Sequence, residues 1–498
     1  MNQEKLKKFN SNIIKWYPFE ENKTILQIGL NDYITKELEK KFIYINVINN
    51  ITEIELNIKY DYVLIYGYEK YENLVETVKN ILNDNGKILI IGNNELGINN
   101  WSKYDINRQK GVLKLEDENK IKTINCIKNE IENNNLNIND IFYAFPNYKT
   151  AELIINKNFK IEKGQIDKYN PEILEDEIKV FNEINVLKTI ISNSPEMLDT
   201  FANSYFIEVS KEKNENDIKY VSFNNCRKEQ YQLITIIKDD IVEKIPANAE
   251  ANQHITNMAN IIQNIKNENI EILDYEENGK IYSKLIKNKI TLDEILYEKA
   301  YDINSIIEIL NNLKSVLLKN ALKYDECSDK ISFRTDEEIM KELNYMKNGY
   351  WDMISKNCFY IDGKFVFFDQ EWEKQYLPIE FIIYRSIINS YDLVRKINVD
   401  ELLEKLNILK YKEFFDEIDK ELRKEILDEE IFDAMYKKEN LKAIDNLINE
   451  NKSYLEEINN KDEYIKKLEQ YYSDLKEDNN KKQEYITNLE SMLNIKNK

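Results

Sequence analysis

The first hundred residues alternate short apolar runs with amphipathic helical periods, a pattern few folds accommodate. TILQI (24–28) meets a turn at Gly29 and passes into the helical TKELEKKF. FIYINVI (42–48) follows, then YDYVLIYGYEKY (60–71), the helical ENLVETVKNILNDNG and the strand KILIIGNN (87–94). Strands that alternate with amphipathic helices predict a parallel sheet with helices on both faces. From about 105 to 215 Glu/Asn/Lys helices dominate, interrupted by FYAFPNYKTAEL (142–153). Near 216 the character changes: KYVSFNN, QLITIIKD and DIVEKIP read as antiparallel strands with alternating faces. Helices are expected at 247–265 and 303–324, then a hairpin, then more helix to about 440.

Composition narrows the function classes. The 498 residues can build two or three domains, and 42% hydrophobic content makes the chain globular. A formal net charge of -20 argues against a nucleic-acid partner, which selects a basic face. Cys126, Cys226, Cys327 and Cys358 are far apart in sequence, so no disulfide framework or zinc knuckle is signalled. His254 is the only histidine, which disfavours His-rich metal sites and a Ser-His-Asp triad. No apolar run reaches the length of a membrane span and no signal-peptide core opens the chain, so a cytoplasmic protein is expected, possible at the inner face of a membrane.

The C-terminal tail carries a heptad. With Ile444 at an a position, the a series continues Asn451, Ile458, Ile465, Tyr472, Asn479, Ile486, Leu493. The d series is Leu447, Tyr454, Lys461, Leu468, Leu475, Lys482, Leu489. Sustained over about 50 residues, roughly 75 Å of helix, this predicts a self-associating coiled coil and hence a homo-oligomer.

YWDMISKNCFYIDGKFVFFDQEW (350–372) concentrates the chemistry. Asp362-Gly363 is a two-residue hairpin signal. Pairing outward from it sets Ile361 against Lys364, Cys358 against Phe367 and Asn357 against Phe368. Asp369 then lies diagonal to Asn357, and Asp352 precedes Asn357 by five residues. A phosphoryl-transfer site uses such a set, with oxygen ligands for Mg²⁺ and one carboxylate to take the proton of the attacking hydroxyl. The order Asp, Asn, hairpin, Asp is that of protein kinases, and DQEW is closer to the DFE-aromatic ending of choline and aminoglycoside kinases than to DFG. Lys244 in DIVEKIP is the candidate phosphate lysine, and Glu250 is its candidate partner or a first-turn acid. NNCRKEQYQ stands where a Gly-rich loop would be, and His254 reads as a packing residue.

The N-terminal turn is poorer. Class I methyltransferases typically show an acid and three glycines here. This chain has ILQIGLNDY, with Gln27 for the acid, Asn31 and Tyr33 for two of the glycines, and only Gly29 retained. Asn49 stands where the ribose-binding acid would follow the second strand. The fold signal survives, and the S-adenosylmethionine signal is largely gone.

Taken in order, YDYVLIYG, GKILIIGNNELGINNW, FYAFPNYKTAEL, FANSYFIEV, EKIPANAEANQHI, WDMISKNCF, FDQEW and LPIEFIIYRSI give a resemblance over roughly residues 15–390. The chain resembles bacterial surface-polysaccharide proteins that join a class I methyltransferase domain to a kinase-like domain, the O-antigen chain-terminating methyltransferase/kinase type. The resemblance implies an α/β Rossmann-like domain at 1–160, a connecting segment at 161–215, an α+β kinase-like domain at 216–440 and a coiled coil at 441–498. It implies Asp352 as base, Asn357 and Asp369 as metal ligands and Lys244 as phosphate lysine, with ATP and Mg²⁺ as cofactors. The histidine of the usual His-x-Asp is Tyr350 here, and Asn93 replaces an acid in GNNELGINNW. The expectation is a phosphotransferase acting on a glycan or lipid-linked saccharide, alongside a methyltransferase-like domain without catalysis. A scaffold for a glycan-synthesis partner acting through the coil, and a glycan methyltransferase, are the alternatives.

Overall fold

The computed structural model describes residues 5–102, 122–160, 181–214, 216–287, 289–436 and 439–496. The expected connecting segment at 161–215 is thus described only over 181–214.

The parallel sheet expected from the sequence is present. β1 (Thr24–Ile28), β2 (Tyr44–Ile48), β3 (Tyr60–Tyr66) and β4 (Leu82–Asn93) lie parallel in the order β2-β1-β3-β4. Between β1 and β2 runs α1 (Asp32–Glu39), whose first-turn N–H groups of Tyr33 and Ile34 donate to the Asn31 side chain. Residues 62–66 and 88–91 are buried without a break, the signature of strands covered on both faces. Tyr62, Leu64 and Tyr66 share one core with Leu89, Ile91, Ile34 and Leu38, at the period of two that a strand imposes.

One element differs from expectation. The helix predicted through Gly86 ends at Lys79, and Leu82 to Gly86 joins β4. Asn-Asp-Asn-Gly favours helix poorly, and Asn83 donates to Asp61 Oδ1 at 3.0 Å across the register shift opposite it.

The sheet then continues in antiparallel fashion. β5 (Asn137–Phe145), β6 (Leu153–Asn156), β7 (Ser204–Ser210), β8 (Tyr220–Phe223), β9 (Leu233–Ile237) and β10 (Ile241–Pro246) extend it, with β7 wedged between β4 and β5. Pairing crosses residue 216 without interruption, since β6 pairs with β8. The amphipathic helix α2 (Asn252–Asn267) follows. Ile255, Met258 and Ile262 on one side of it pack on Leu233 and Ile281. After β11 (Glu271–Ile272), β12 (Tyr275–Glu277) and β13 (Lys280–Lys284) close the edge of a twelve-stranded sheet.

A largely helical lobe completes this unit. It contains α3 (Ile303–Leu317), β14 (Ala321–Lys323), β15 (Asn344–Tyr350), the hairpin β16 (Cys358–Ile361) and β17 (Lys364–Phe367), and β18 (Glu373–Pro378). α4 (Ile379–Ile388) and α5 (Lys412–Ile426) complete its core, where Phe381, Tyr384, Phe415, Ile418 and Leu422 meet. The hairpin register is the one expected, with Cys358 opposite Phe367 and Ile361 opposite Lys364. Asp362 and Gly363 both take positive φ, as a type I′ turn requires.

α6 (Glu439–Lys496) is a single helix of 58 residues. Among the described residues no helix is long and apolar enough to cross a membrane.

Candidate functional site

The hairpin delivers its polar residues to one end, as the register requires. Asn357 Nδ2 lies 3.3 Å from the Asp352 carbonyl and 3.5 Å from the Asp369 carbonyl, so its amide ties the incoming loop to the outgoing strand. Asp369 sits in the left-handed region at φ 60° just past β17. Lys244, in β10, reaches across and pairs with both Asp369 and Glu371. The Lys244 side chain is 11% exposed and that of Glu371 only 4%. Glu371 also pairs with Arg227, and His254 Nε2 stands 3.8 Å from it. Glu250 does not join this group. It is exposed in the first turn of Ala249–Ala251, the second of the two roles expected for it, and Glu371 stands beside Lys244 instead.

Electrostatics follow from this closure. Burial lowers the affinity of Lys244 for its proton, but Asp369 and Glu371 outweigh it and hold the ammonium above the ordinary lysine range. Burial pushes Glu371 the other way, and Arg227, Lys244 and His254 keep its carboxyl well below the usual range. Asp352 is separate. Burial pushes it up to about 6, against the pull of Arg385, whose Nη2 is 3.9 Å away. Arg385 is already paired with Asp419 at 2.7 Å and lies over the Trp351 ring at 4.5 Å. Burial likewise lifts Asp274 to about 6, and its carboxylate accepts from Gln370 N at 3.2 Å. A carboxyl titrating near 6 is suited to accept a proton from a hydroxyl near neutral pH.

That shift has a measurable consequence. The Asp352 pKa is higher folded than its ordinary value of 3.8, so folding favours the neutral acid. Its contribution to stability is complete below pH 3.8 and is lost as pH rises through about 6. Asp352→Asn, permanently neutral, is expected to be more stable than wild type by about 2–3 kcal/mol at pH 8 and no more stable at pH 4. Urea melts at the two pH values check this, and an equal effect at both would contradict it.

A second cluster lies seven strands away along the sheet, where the order β2-β1-β3-β4 reverses direction. In open α/β sheets ligands bind beyond the carboxyl ends of the strands at this point. Gly29 ends β1 there at φ +94°, and a Cβ would strike the Tyr66 carbonyl oxygen. The Gln27 side chain steadies the turn, donating to Gly29 O and accepting from Thr35 Oγ1, both at 2.9 Å. Asn31, besides capping α1, donates to Tyr66 Oη at 3.1 Å. Asn49, one residue past β2, is exposed.

The centre of this cluster is Glu69, which follows β3. It accepts from Tyr148 Oη at 3.2 Å and from Asn93 N at 3.1 Å. Tyr66 and Tyr148 stand edge to face at 5.1 Å. The phenols of Tyr66, Tyr71, Tyr148 and Tyr205 are all held above the ordinary tyrosine range by burial first and then by the Glu69 charge. Tyr205 Oη has no hydrogen-bond partner, and it would lie 2.6 Å from a Cβ at Gly92. Four phenol rings and one carboxylate therefore gather beside the left-handed glycine. Sequence reasoning singled out Gly29 but none of these five residues. With 33 tyrosines in the chain no single one stands out, and the strand order alone brings them together.

No protein-family model matches the chain, and no curated protein does. Solved structures similar in part to this chain include three S-adenosyl-compound complexes. Haemonchus contortus phosphoethanolamine N-methyltransferase 2, with phosphomonomethylethanolamine and S-adenosylhomocysteine, is 13% identical over 41% of this chain and 52% of its own, with a TM-score of 0.24. This chain thus spans about half the length of that enzyme. The plantazolicin methyltransferase BpumL with SAH is 14% identical over 43% of this chain and 84% of its own, at a TM-score of 0.23. PKMT2 from Rickettsia typhi with AdoHcy is 12% identical over 51% and 67%, at 0.22.

The expectation of ATP and Mg²⁺ is corrected. The structures similar in part to this chain are named with S-adenosyl compounds bound. The site itself gives the physical reason. Two carboxylates already neutralise Lys244, and among the described residues no group of three or more His, Cys, Asp or Glu side chains could hold a metal ion.

Proposed function

We propose that the chain is an S-adenosylmethionine-dependent methyltransferase working at the switch point of its sheet, on a hydroxyl of the bacterial surface-glycan class that the sequence resemblance implies. The observation that carries this reading is Glu69 within its ring of tyrosines beside Gly29. Aromatic faces and a carboxylate select a cation, and aromatic cages of this kind take up charged alkylated groups. When bound, S-adenosylmethionine supplies an electrophilic methyl group on a positively charged sulfur. Gly29 lets the backbone turn approach closely, as a Cβ could not. Glu69 and the rings of Tyr66, Tyr71 and Tyr148 offset the positive charge. Asn49, exposed at the end of β2, can donate and accept at the ribose hydroxyls in place of the usual acid.

Calorimetric titration of the full chain tests the reading. S-adenosylmethionine is expected to bind more tightly than S-adenosylhomocysteine, which lacks the positive charge. Glu69→Gln should weaken S-adenosylmethionine about tenfold and erase that preference. Gly29→Val, which forces a side chain against the Tyr66 carbonyl, should abolish binding of both. Absence of binding by the folded wild type would sink the proposal, as would an affinity indifferent to Glu69.

A second reading rests on α6. Ile458, Ile465, Leu468, Leu475, Ile486 and Leu489, all at a or d positions, are each about half exposed along it. Such a seam supports an assembly role through self-association, independent of any chemistry in the sheet.

A further inference from the structure

Against the helix Glu429–Tyr436, where β6 begins and β8 ends, lies a cavity of about 300 Å³ that takes no residue from the switch point. Glu152 stands in its lining, one residue before β6, and is 5% exposed. Its backbone is pinned on both sides. The N–H donates to Phe145 O at 2.8 Å, and the carbonyl accepts from Phe223 N at 2.9 Å. The side-chain carboxyl accepts from Tyr436 Oη at 3.0 Å, which uses one of its roughly four lone-pair sites. Among the described residues no cation offsets it. Arg227 borders the cavity, but its guanidinium is committed to Glu371 and to the Trp372 ring.

A carboxyl buried without a cation holds on to its proton. Burial raises Glu152 to about 8, against the pull of the Tyr436 hydroxyl. Tyr436 and Cys226 are the titratable groups that face it, Tyr220 shares the lining, and Asp428 acts on Cys226. Burial pushes the Tyr436 phenol and the Cys226 thiol up as well, so none of these groups brings a positive charge.

The missing charge specifies the ligand. An anion would face the Glu152 carboxyl, and a neutral ligand would leave it uncompensated. Leu153, Phe223 and Leu427 line the same space, so it takes an apolar body as well as a charge. The volume lies at the lower end of the range for small-molecule sites, about 300–1,000 Å³, which limits that body to a few carbons. We infer that this cavity binds a small primary alkylammonium ion, its N–H groups donating to the Glu152 carboxylate and its alkyl chain lying against Leu153, Phe223 and Leu427. The Glu152 proton leaves to solvent as the ammonium ion enters, so one positive charge replaces another.

The test is calorimetric titration of the full chain with butylammonium chloride, in pairs of buffers that differ in ionisation enthalpy. Binding at pH 7 should release about 0.9 proton per ligand, because Glu152 is then mostly protonated. At pH 9 the release should fall to about 0.1, since Glu152 is already ionised there while the amine, like lysine, stays charged. Affinity should rise about tenfold from pH 7 to pH 9. Glu152→Gln keeps an acceptor for Tyr436 Oη and removes the charge. Its thermal midpoint at pH 9 should hold or rise, while butylammonium binding weakens at least tenfold and loses its proton release. The proton count is read on wild type, so it decides the matter even if the variant misfolds. The inference is overturned if folded wild type binds no butylammonium, or binds it at pH 7 without releasing a proton. It is also overturned if folded Glu152→Gln binds as tightly, or if 1-butanol or butyrate binds as well as the ammonium ion. S-adenosylmethionine binding without butylammonium binding, or the reverse, separates this site from the switch point.

Discussion

Glu371→Ala is expected to destabilise the protein by about 3–5 kcal/mol, the cost of removing one partner from a buried ion pair. Glu371 balances the buried Lys244 and the half-buried Arg227, and is itself nearly inaccessible. Without it Arg227 keeps its contact with the Trp372 ring at 5.2 Å but loses its carboxylate. Lys244 keeps only Asp369, whose side chain is 42% exposed and therefore screened by water. Glu371→Gln preserves the shape and removes only the charge, so it should recover packing but not the ionic term. The network is also pH-dependent in a defined direction. The carboxyl pKa of Glu371 is depressed on folding, so its contribution is present above the ordinary 4.5 and is lost as pH falls through its folded value. Wild type and Glu371→Ala should therefore converge in acid. Urea melts at pH 7 and in acid measure both effects. A change under about 0.5 kcal/mol at pH 7, the size of an ordinary surface substitution, would show that the network does not hold the β10 strand to the hairpin.

How much of this was legible in the sequence differs between the two ends of the sheet. The hairpin register followed from Asp362-Gly363 alone, because a two-residue turn fixes which residues face each other. That register brought Asn357 and Asp369 together, as the structure does. The motif also offered Lys244 as a phosphate lysine, with Glu250 either as its partner or as a first-turn acid. Here tertiary structure intervened: Glu371, two residues beyond Asp369, turns inward and takes the Lys244 charge, while Glu250 is the first-turn acid that was the other reading. A local motif cannot report which of several acids a lysine on β10 will meet, because Glu371 lies outside the sheet that holds β10. At the other end, counting lost glycines pointed away from S-adenosylmethionine. The residues on which the methyl-donor proposal rests come from β3, β7 and the 146–150 turn, far apart in sequence, and only the order β2-β1-β3-β4-β7-β5 gathers them around Gly29. The parallel strands themselves were readable because unbroken apolar runs such as VLIY and ILII leave few alternatives to a strand buried on both faces.

Ile465→Asp combined with Leu468→Asp is expected to turn an oligomer into a single chain. Both side chains are half exposed on α6, and they occupy neighbouring a and d positions of its heptad. A lone helix of 58 residues with Ile458, Ile465, Leu475 and Ile486 in water leaves its one apolar stripe uncovered. A second copy of the same helix, parallel and in register, covers it best. In that arrangement Asn451 meets Asn451 and Asn479 meets Asn479 across the seam, pairs that fix register at a cost in stability. Lys461 and Lys482 at d positions would repel their counterparts, but each has an acid one turn earlier, Glu457 and Asp478, at 3.9 Å. Aspartate at 468 has no such relief, since Tyr464, Tyr471 and Tyr472 stand one turn away, and aspartate at 465 would share Lys461 with Glu457. Each chain would bury two carboxylates at several kcal/mol apiece, enough to raise the dissociation constant by more than about a hundredfold. Sedimentation equilibrium should find wild type at a multiple of 59.6 kDa and the double variant at 59.6 kDa. A wild type already at 59.6 kDa would mean that the stripe is solvated, and the assembly reading would fall with it.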